Sequence, residues 1–305
     1  MNIEKTERYV NPLTDFCFKK LFGTELNKDI LIDFLNDIIP DLPPNHRIKD
    51  ISYKPTEHLP DFEFDRKAIF DIYCEGQNGH RFIVEMQKYW QLFFKDRSIY
   101  YSTYPIREQA ERGEWNFKLD AVYTIGILDF MIDTEESNPE PVHKVELKNE
   151  RNEIFFDKLM YVYVELPKFT KQEHELQTMR DKWLFTLKNL VYLQERPRAL
   201  QERVFEKIFE VAEVAKFNHA EMEAYQSSLK SFRDNHNIYK SNIERALEEG
   251  EKRGEKRGIK KGENKKAEQT ALRMIAKGYD NTTIHELTGL STAKIEKLRA
   301  SISAQ

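Results

Sequence analysis

Cysteine is nearly absent: Cys17 and Cys74 are the only two in 305 residues. They lie far apart and outside any Cys-x-x-Cys spacing, so neither a disulfide framework nor a thiolate zinc cluster is indicated, and a reducing, cytoplasmic setting is expected. No apolar run approaches the roughly 18 to 20 residues of a membrane-spanning helix, and the opening MNIEKTERYVNP has no apolar stretch of the signal-peptide kind. We therefore expect neither secretion nor a membrane partner. An overall basic excess is missing too, since 48 Lys and Arg stand against 52 Asp and Glu for a net charge of −4. Affinity for a polyanion must then come from local patches. The eight histidines are scattered without ligand spacing, and neither a Ser-His-Asp phrase nor a G-x-x-x-x-G-K-[ST] phosphate loop occurs.

What is present is packing material. Hydrophobic residues make up 40% and aromatics 12%, with 20 Phe and 14 Tyr, enough for one large domain plus an appendage. Over residues 15–39, Phe16, Phe18, Leu21 and Phe22, then Ile30, Leu31, Phe34, Leu35 and Ile38, recur at helical spacing, interrupted near Gly23. Two short helices are predicted, then a loop at DLPPNHR and a strand over 48–56. Residues 69–74 and 81–87 are rich in strand formers and are joined by EGQNGH, in which Asn78-Gly79 is a strong hairpin turn because both residues tolerate positive φ. They should pair antiparallel. A helix over about 94–113 follows, which Pro105 should kink or divide, and then strands at 119–128, 142–147 and 159–166. Residues 172–242 read as helical, with Trp183, Leu184, Leu187, Leu190 and Val191 on one face.

Beyond residue 245 the character changes. Gly250, Gly254, Gly258 and Gly262 recur every fourth residue, and residues 251–266 hold eight Lys or Arg against three Glu, a local charge of +5. This connector, residues 246–266, reads as a solvated spacer or as a fraying helix that tracks DNA phosphates through Lys252, Arg253, Lys256, Arg257, Lys260 and Lys261. Residues 267–305 follow as three short helices, 271–277, 282–288 and 291–299, with Gly278, Asn281, Gly289 and Ser291 as end residues. This is a helix-turn-helix outline. Its last helix offers Lys294 and Lys297 to DNA, or a surface for assembly into a homo-oligomer.

Hydrolysis of a phosphodiester at neutral pH is aided by a divalent cation that polarises the phosphate and activates water. Mg²⁺ takes hard oxygen ligands, typically one or two carboxylates completed by water and phosphate, so two acids must converge. Asp71 and Glu85 can do so across the predicted hairpin, and Gln87, two residues after Glu85, shares its strand face. By spacing alone, D-x₁₃-E-x-Q is balanced by two ordinary exposed strand residues. However, the apolar neighbours in FIVEMQ suggest a largely buried strand, where an acid is costly unless it is paired or binds metal. Gln87 can orient water or phosphate through its amide but is neither a cation nor a base. Arg97 and Tyr101, four apart on the next helix, read equally as phosphate positioning or as a salt bridge with a core-edge Tyr. Asp15 and Lys19, also four apart, read first as a helix ion pair.

The phrases NPLTDFCFKKLFG, IFDIYCEGQNGHRFIVEMQ and DRSIYYSTYPIREQAERGEWNFKLDAVYTIGIL resemble the recombination-promoting, transposase-like branch of the PD-(D/E)XK nucleases. The likeness is close from residue 11 to about residue 166 and looser in the basic tail. That superfamily carries an acid on one strand and (D/E)-x-K on the next; here the match is Asp71, then Glu85-Met86-Gln87, with the Gln for Lys exchange that is common in this branch. The resemblance implies a restriction-endonuclease-like α/β fold, a mixed central sheet flanked by helices with a helical C-terminal region. The nuclease core would span 1–170, with 171–245 packed on or beside it. It further implies Asp71 and Glu85 as ligands of Mg²⁺ or Mn²⁺, Gln87 as their catalytic partner, an extra metal contact from Asp15, DNA as substrate, and a role in recombination or mobile DNA. Two other readings stay open: a catalytically weak DNA-binding protein that keeps the fold, and an interaction scaffold acting through the helical half and tail.

Overall fold

Two amphipathic helices begin the structured chain. α1 (Asp15–Phe22) buries Cys17, Phe18, Leu21 and Phe22, and α2 (Lys28–Ile38) buries Ile30, Leu31, Phe34, Leu35 and Ile38. Both stripes follow the spacing read from the sequence. The computed structural model describes residues 7–58, 68–110, 113–132 and 138–303. It divides into two units, Met1–Arg233 and Asp234–Gln305.

The first unit is built on a sheet. In chain order the strands are β1 (Ile51–Tyr53), β2 (Glu57–His58), β3 (Ala68–Ile69), β4 (Ile72–Gly76), β5 (Arg81–Gln87), then after α3 (Phe94–Arg107) β6 (Val122–Leu128), β7 (Val142–Lys148) and β8 (Ile154–Glu165). Six of them form one mixed sheet in the order β1-β4-β5-β6-β8-β7, while β2 and β3 pair separately. β4 and β5 are antiparallel about the predicted Asn78-Gly79 turn, where Gly79 has φ +77°. β5, β6 and β8 run parallel, with α3 as the crossover between the first two, and β7 is the antiparallel edge.

Side chains alternate across this sheet. Ile72, Cys74, Phe82, Val84, Ile125 and Val162 face a large core shared with α1, α2, α4 (Met179–Asn189) and α5 (Arg203–Val211), where Trp183 packs between Phe34 and Phe205. The intervening residues face α3: Tyr73 and Ile83 meet Tyr104, and Leu128, Tyr161 and Tyr163 meet Phe94. Ser98 and Ser102 fasten α3 to β8 through hydroxyl contacts with Tyr163 (2.8 Å) and Tyr161 (2.7 Å). Gly126 of β6 admits the Phe94 ring; a Cβ there would come within 3.1 Å of Tyr163 and 3.5 Å of Phe94. α3 passes through Pro105 and ends two residues later, short of the predicted residue 113.

α6 (His219–Ala276) runs for 58 residues and contains all four spaced glycines, so the expected connector is continuous helix. In the second unit Ala271 and Ile275 of α6 close a small core with Ile284 of α7 (Asn281–Thr288), Leu290, and Ile295 of α8 (Thr292–Ser303). Asp280, rather than the expected Asn281, caps α7 by accepting the N–H groups of Thr282 and Thr283. Gly289 ends α7 at φ +69°.

Candidate active site

The expected strand over 69–74 is broken at residues 70–71, so the β4–β5 ladder ends at Ile72 with Val84, and Asp71 lies just before β4, beside Glu85 of β5. Ile83 faces α3, so by the two-residue period Glu85 and Gln87 of the same strand emerge on that face. Backbone amides then lock the two acids together. The Asp71 N–H donates to Glu85 Oε1 at 3.2 Å, and the Met86 N–H donates to Asp71 Oδ2 at 2.8 Å. No hydrogen bond or ion pair engages Asp71 Oδ1 or Glu85 Oε2 among the described residues.

Both acids are only half-buried, yet their ionised forms are disfavoured. Burial raises the Asp71 carboxyl above the ordinary carboxylate range, although the Met86 N–H and Lys19 pull the other way. Burial, reinforced by the Asp71 carboxylate, pushes Glu85 up to about 8. Two like charges held face to face without a direct cation are what a divalent ion would stabilise. Among the described residues no group of three or more His, Cys, Asp and Glu could hold a metal, so a cation here would take two carboxylates and complete its shell with water, phosphate or backbone oxygen.

Around this pair the structure gathers the other predicted residues. Gln87 Nε2 donates to the Tyr89 carbonyl at 3.1 Å, and its Oε1 accepts from Arg97 Nη2 at 2.5 Å. Arg97 also donates to Gln91 and lies 5.8 Å from the Tyr101 ring centroid. Tyr101 packs edge-on against Phe70 at 5.3 Å, a core-edge position whose phenol burial, Glu85 and Arg97 all influence. Lys19 pairs with Asp15 at 2.8 Å, as the four-residue spacing suggests. Burial works against the Lys19 ammonium, but Asp15, with Asp71 and Glu85 beyond it, holds it above its usual value. The Tyr89 carbonyl and Gln91 were not foreseen. Both lie in a turn without periodicity, and only the spacing of Gln91 four residues after Gln87 could have hinted at them.

The basic residues expected to meet DNA lie in the second unit. Lys252, Arg253, Lys256, Arg257, Lys260 and Lys261 are exposed along α6, and Lys252 and Arg253 pair with Glu248 (2.5 Å) and Glu249 (3.2 Å). Lys294 pairs with Glu268 at 2.8 Å, and Lys297 is exposed. No described helix is long and apolar enough to cross a membrane.

Comparison with curated proteins and with solved structures gives no match. A family model does match: the PD-(D/E)XK nuclease family transposase, over residues 12–242, from the turn before α1 into α6. That span includes the mixed sheet, both acids and Gln87, and it supports a nuclease or transposase-related role. The chain belongs to the PD-(D/E)XK nuclease family transposases.

Proposed function

We propose that the chain is a divalent-metal-dependent endonuclease that cleaves DNA phosphodiester bonds, with Asp71 and Glu85 as the ligands of Mg²⁺ or Mn²⁺. The observation that carries this reading is the opposed carboxylate pair, each acid hydrogen-bonded through one oxygen and each disfavoured as an anion. A bound cation would polarise the scissile phosphate and lower the pKa of an attacking water. Gln87 spends its carbonyl oxygen on Arg97 and one amide hydrogen on Tyr89, which leaves the second amide hydrogen for a water or phosphate oxygen. Arg97 and Lys19 supply the positive charge that Gln87 lacks at the superfamily's lysine position, where charge grows on the phosphate. The exposed basic face of α6 would add sequence-independent affinity for the DNA backbone. A role in recombination or mobile DNA is part of the same proposal and has the family match as its only support.

Incubating the purified chain with supercoiled plasmid in Mg²⁺ and in EDTA tests this directly. Nicking in Mg²⁺ and none in EDTA is expected. Plasmid retention without nicking in either would favour the catalytically weak DNA-binding protein instead.

A further inference from the structure

The end of α6, α7 and α8 pack around Ala271, Ile275, Ile284, Leu290 and Ile295, with Leu298 at the edge. Three residues, Gly289, Leu290 and Ser291, join α7 to α8. Gly289 holds φ +69°, and the turn is braced on both sides of it. The Gly289 N–H donates to the His285 carbonyl at 2.9 Å, and His285 Nδ1 donates to the Leu290 carbonyl at 2.7 Å. Two helices joined by a short glycine turn, the second with a free outer face, are the parts of a helix-turn-helix.

α8 is fastened on both flanks. Lys294 pairs with Glu268 of α6 at 2.8 Å, while Arg299 donates to the Asn281 side chain of α7 at 3.0 Å and to the Tyr279 carbonyl at 2.7 Å. Two of its three cations therefore hold it in place. At about 100° per residue Ile295 and Leu298 point inward, and Thr292, Ala293, Glu296, Lys297 and Ala300 fall on the opposite arc of about 140°. All five are exposed, and Glu296 and Lys297 enter no salt bridge among the described residues.

This face suits a DNA groove better than a protein. It carries no aromatic or branched apolar side chain, because the exposed apolar residues of the unit, Tyr279, Leu287 and Ile302, lie before α7, on α7 and in the last turn of α8. Protein interfaces concentrate aromatic residues at their centre and shed charge there. Thr292 and Ala293 let the helix approach a groove floor closely and offer methyl groups to thymine. Glu296 can accept from cytosine N4, and Lys297 can donate to guanine O6 or N7. An α-helix enters the major groove of DNA but not the deep, narrow one of double-stranded RNA. Charge points to the same ligand. α6 runs unbroken from the +5 stretch 251–266 into this unit, and Lys266, Arg273 and Lys277 carry exposed positive charge into it along one stripe. Residues 267–303 by themselves hold five Lys or Arg against four acids, so they suit discrimination more than attraction.

We propose that α8 reads base edges in the DNA major groove through Thr292, Ala293, Glu296 and Lys297, and gives the chain a preferred target sequence that the basic stretch of α6 cannot supply. Lys294 serves to fasten α8 and not to read. The proposal goes beyond the nuclease reading and does not need it.

Selection of a randomised duplex library on the full chain in EDTA, where no cleavage is expected, tests it. A short preferred sequence should emerge, bound at least about a hundredfold more tightly than a scrambled duplex. Glu296→Ala and Lys297→Ala, at exposed positions, should leave the circular dichroism unchanged, and each should lower that preference about tenfold and relax one base position. Replacing Lys252, Arg253, Lys256, Arg257, Lys260 and Lys261 by Gln should weaken both duplexes alike and leave the ratio as it was. The absence of an enriched sequence would overturn the proposal. So would a preference that survives both Glu296→Ala and Lys297→Ala, above all if those variants instead abolish a self-association seen by sedimentation. Nicking in Mg²⁺ without a preferred sequence sinks this inference alone. A preferred sequence without nicking sinks only the nuclease reading.

Discussion

The acid pair between β4 and β5 and the basic stretch of α6 are the two most charged features singled out in the sequence, and they treat charge in opposite ways. Asp71 and Glu85 are held together, half-buried, in no salt bridge among the described residues, and the fold pushes both toward the protonated form although Lys19 and Arg97 act against it. Along residues 251–266 every side chain is exposed, and nearby Lys252 and Arg253 meet glutamates one turn back. Such exposed pairs contribute only about 0.3–0.5 kcal/mol each, whereas the displacement of Glu85 corresponds to a cost on the order of a few kcal/mol. Charge that opposes folding needs another reason to be there, and charge in water needs none. The first region therefore says more about function than the second, although the second carries more charge.

The largest expected effect falls on the acid pair itself. Asp71→Ala and Glu85→Ala should each remove plasmid nicking while circular dichroism reports a folded chain, because each deletes a ligand from a site with only two protein carboxylates. Full activity in either variant would break the contrast. Gln87→Ala should slow nicking by about 10²-fold through loss of a positioned amide donor, whereas Gln87→Lys should keep activity or raise it. Lys19→Ala should cost less, and Gln87→Lys in the same chain should restore it if Lys19 acts as the missing cation. Failure of that rescue would confine Lys19 to its ion pair with Asp15.

Stability should also separate the regions. A carboxyl whose folded pKa is raised stabilises the fold below its ordinary value, and that contribution is lost as pH rises through the folded pKa. For Glu85 the window runs from its ordinary value of 4.5 to about 8. Asp33 of α2, raised to about 6 by burial and by Asp37, adds to the same slope. In the presence of EDTA the midpoint of thermal unfolding should therefore fall between pH 5 and pH 8. Glu85→Gln should flatten the fall and raise the midpoint at pH 8, by roughly 2–4 °C for each kcal/mol relieved. An unchanged slope in Glu85→Gln would mean that the pair is not strained. The smallest effect belongs to α6. Changing Lys252, Arg253, Lys256, Arg257, Lys260 and Lys261 to Gln should weaken DNA binding and flatten its salt dependence, since each phosphate neutralised contributes about 0.9 to the slope. An unaltered slope would leave this stretch a spacer.

The closeness of the candidate residues was legible because it is local: Asn78-Gly79 fixes the turn, the turn fixes the register, and a two-residue period puts Glu85 and Gln87 on one face. Burial of Trp183, Leu184 and Leu187 was legible for the same reason, as one helical stripe. A cavity of about 450 Å³ beside β7 and β8 was not, because its residues come from α3, β7, β8 and the segment after β8, and no short-range pattern links Ile99 to Lys168. The break at residues 70–71 was not legible, because that run is rich in strand formers and has no breaker; there Asp71 meets Glu85 through its backbone N–H rather than through the ladder. Nor was the continuity of α6. Four glycines at about 1 kcal/mol each argue against a helix, yet these 58 residues form one, in which the glycine positions touch nothing. The four-residue spacing puts the glycines on one stripe and leaves long helix-forming side chains between them. The cap of α7 differed by one residue because Asp280 and Asn281 are both good caps, and only the path of the chain after Gly278 selects Asp280.

Calorimetric titration of Mn²⁺ into the metal-free chain, compared with Asp71→Asn and Glu85→Gln, reads the acid pair without DNA, turnover or the tail. Wild type should bind the ion with release of a proton, since Glu85 is partly protonated near neutral pH. Each variant, with the same shape and one charge fewer, should lose that binding. Equal Mn²⁺ affinity in all three proteins would mean that Asp71 and Glu85 hold no metal.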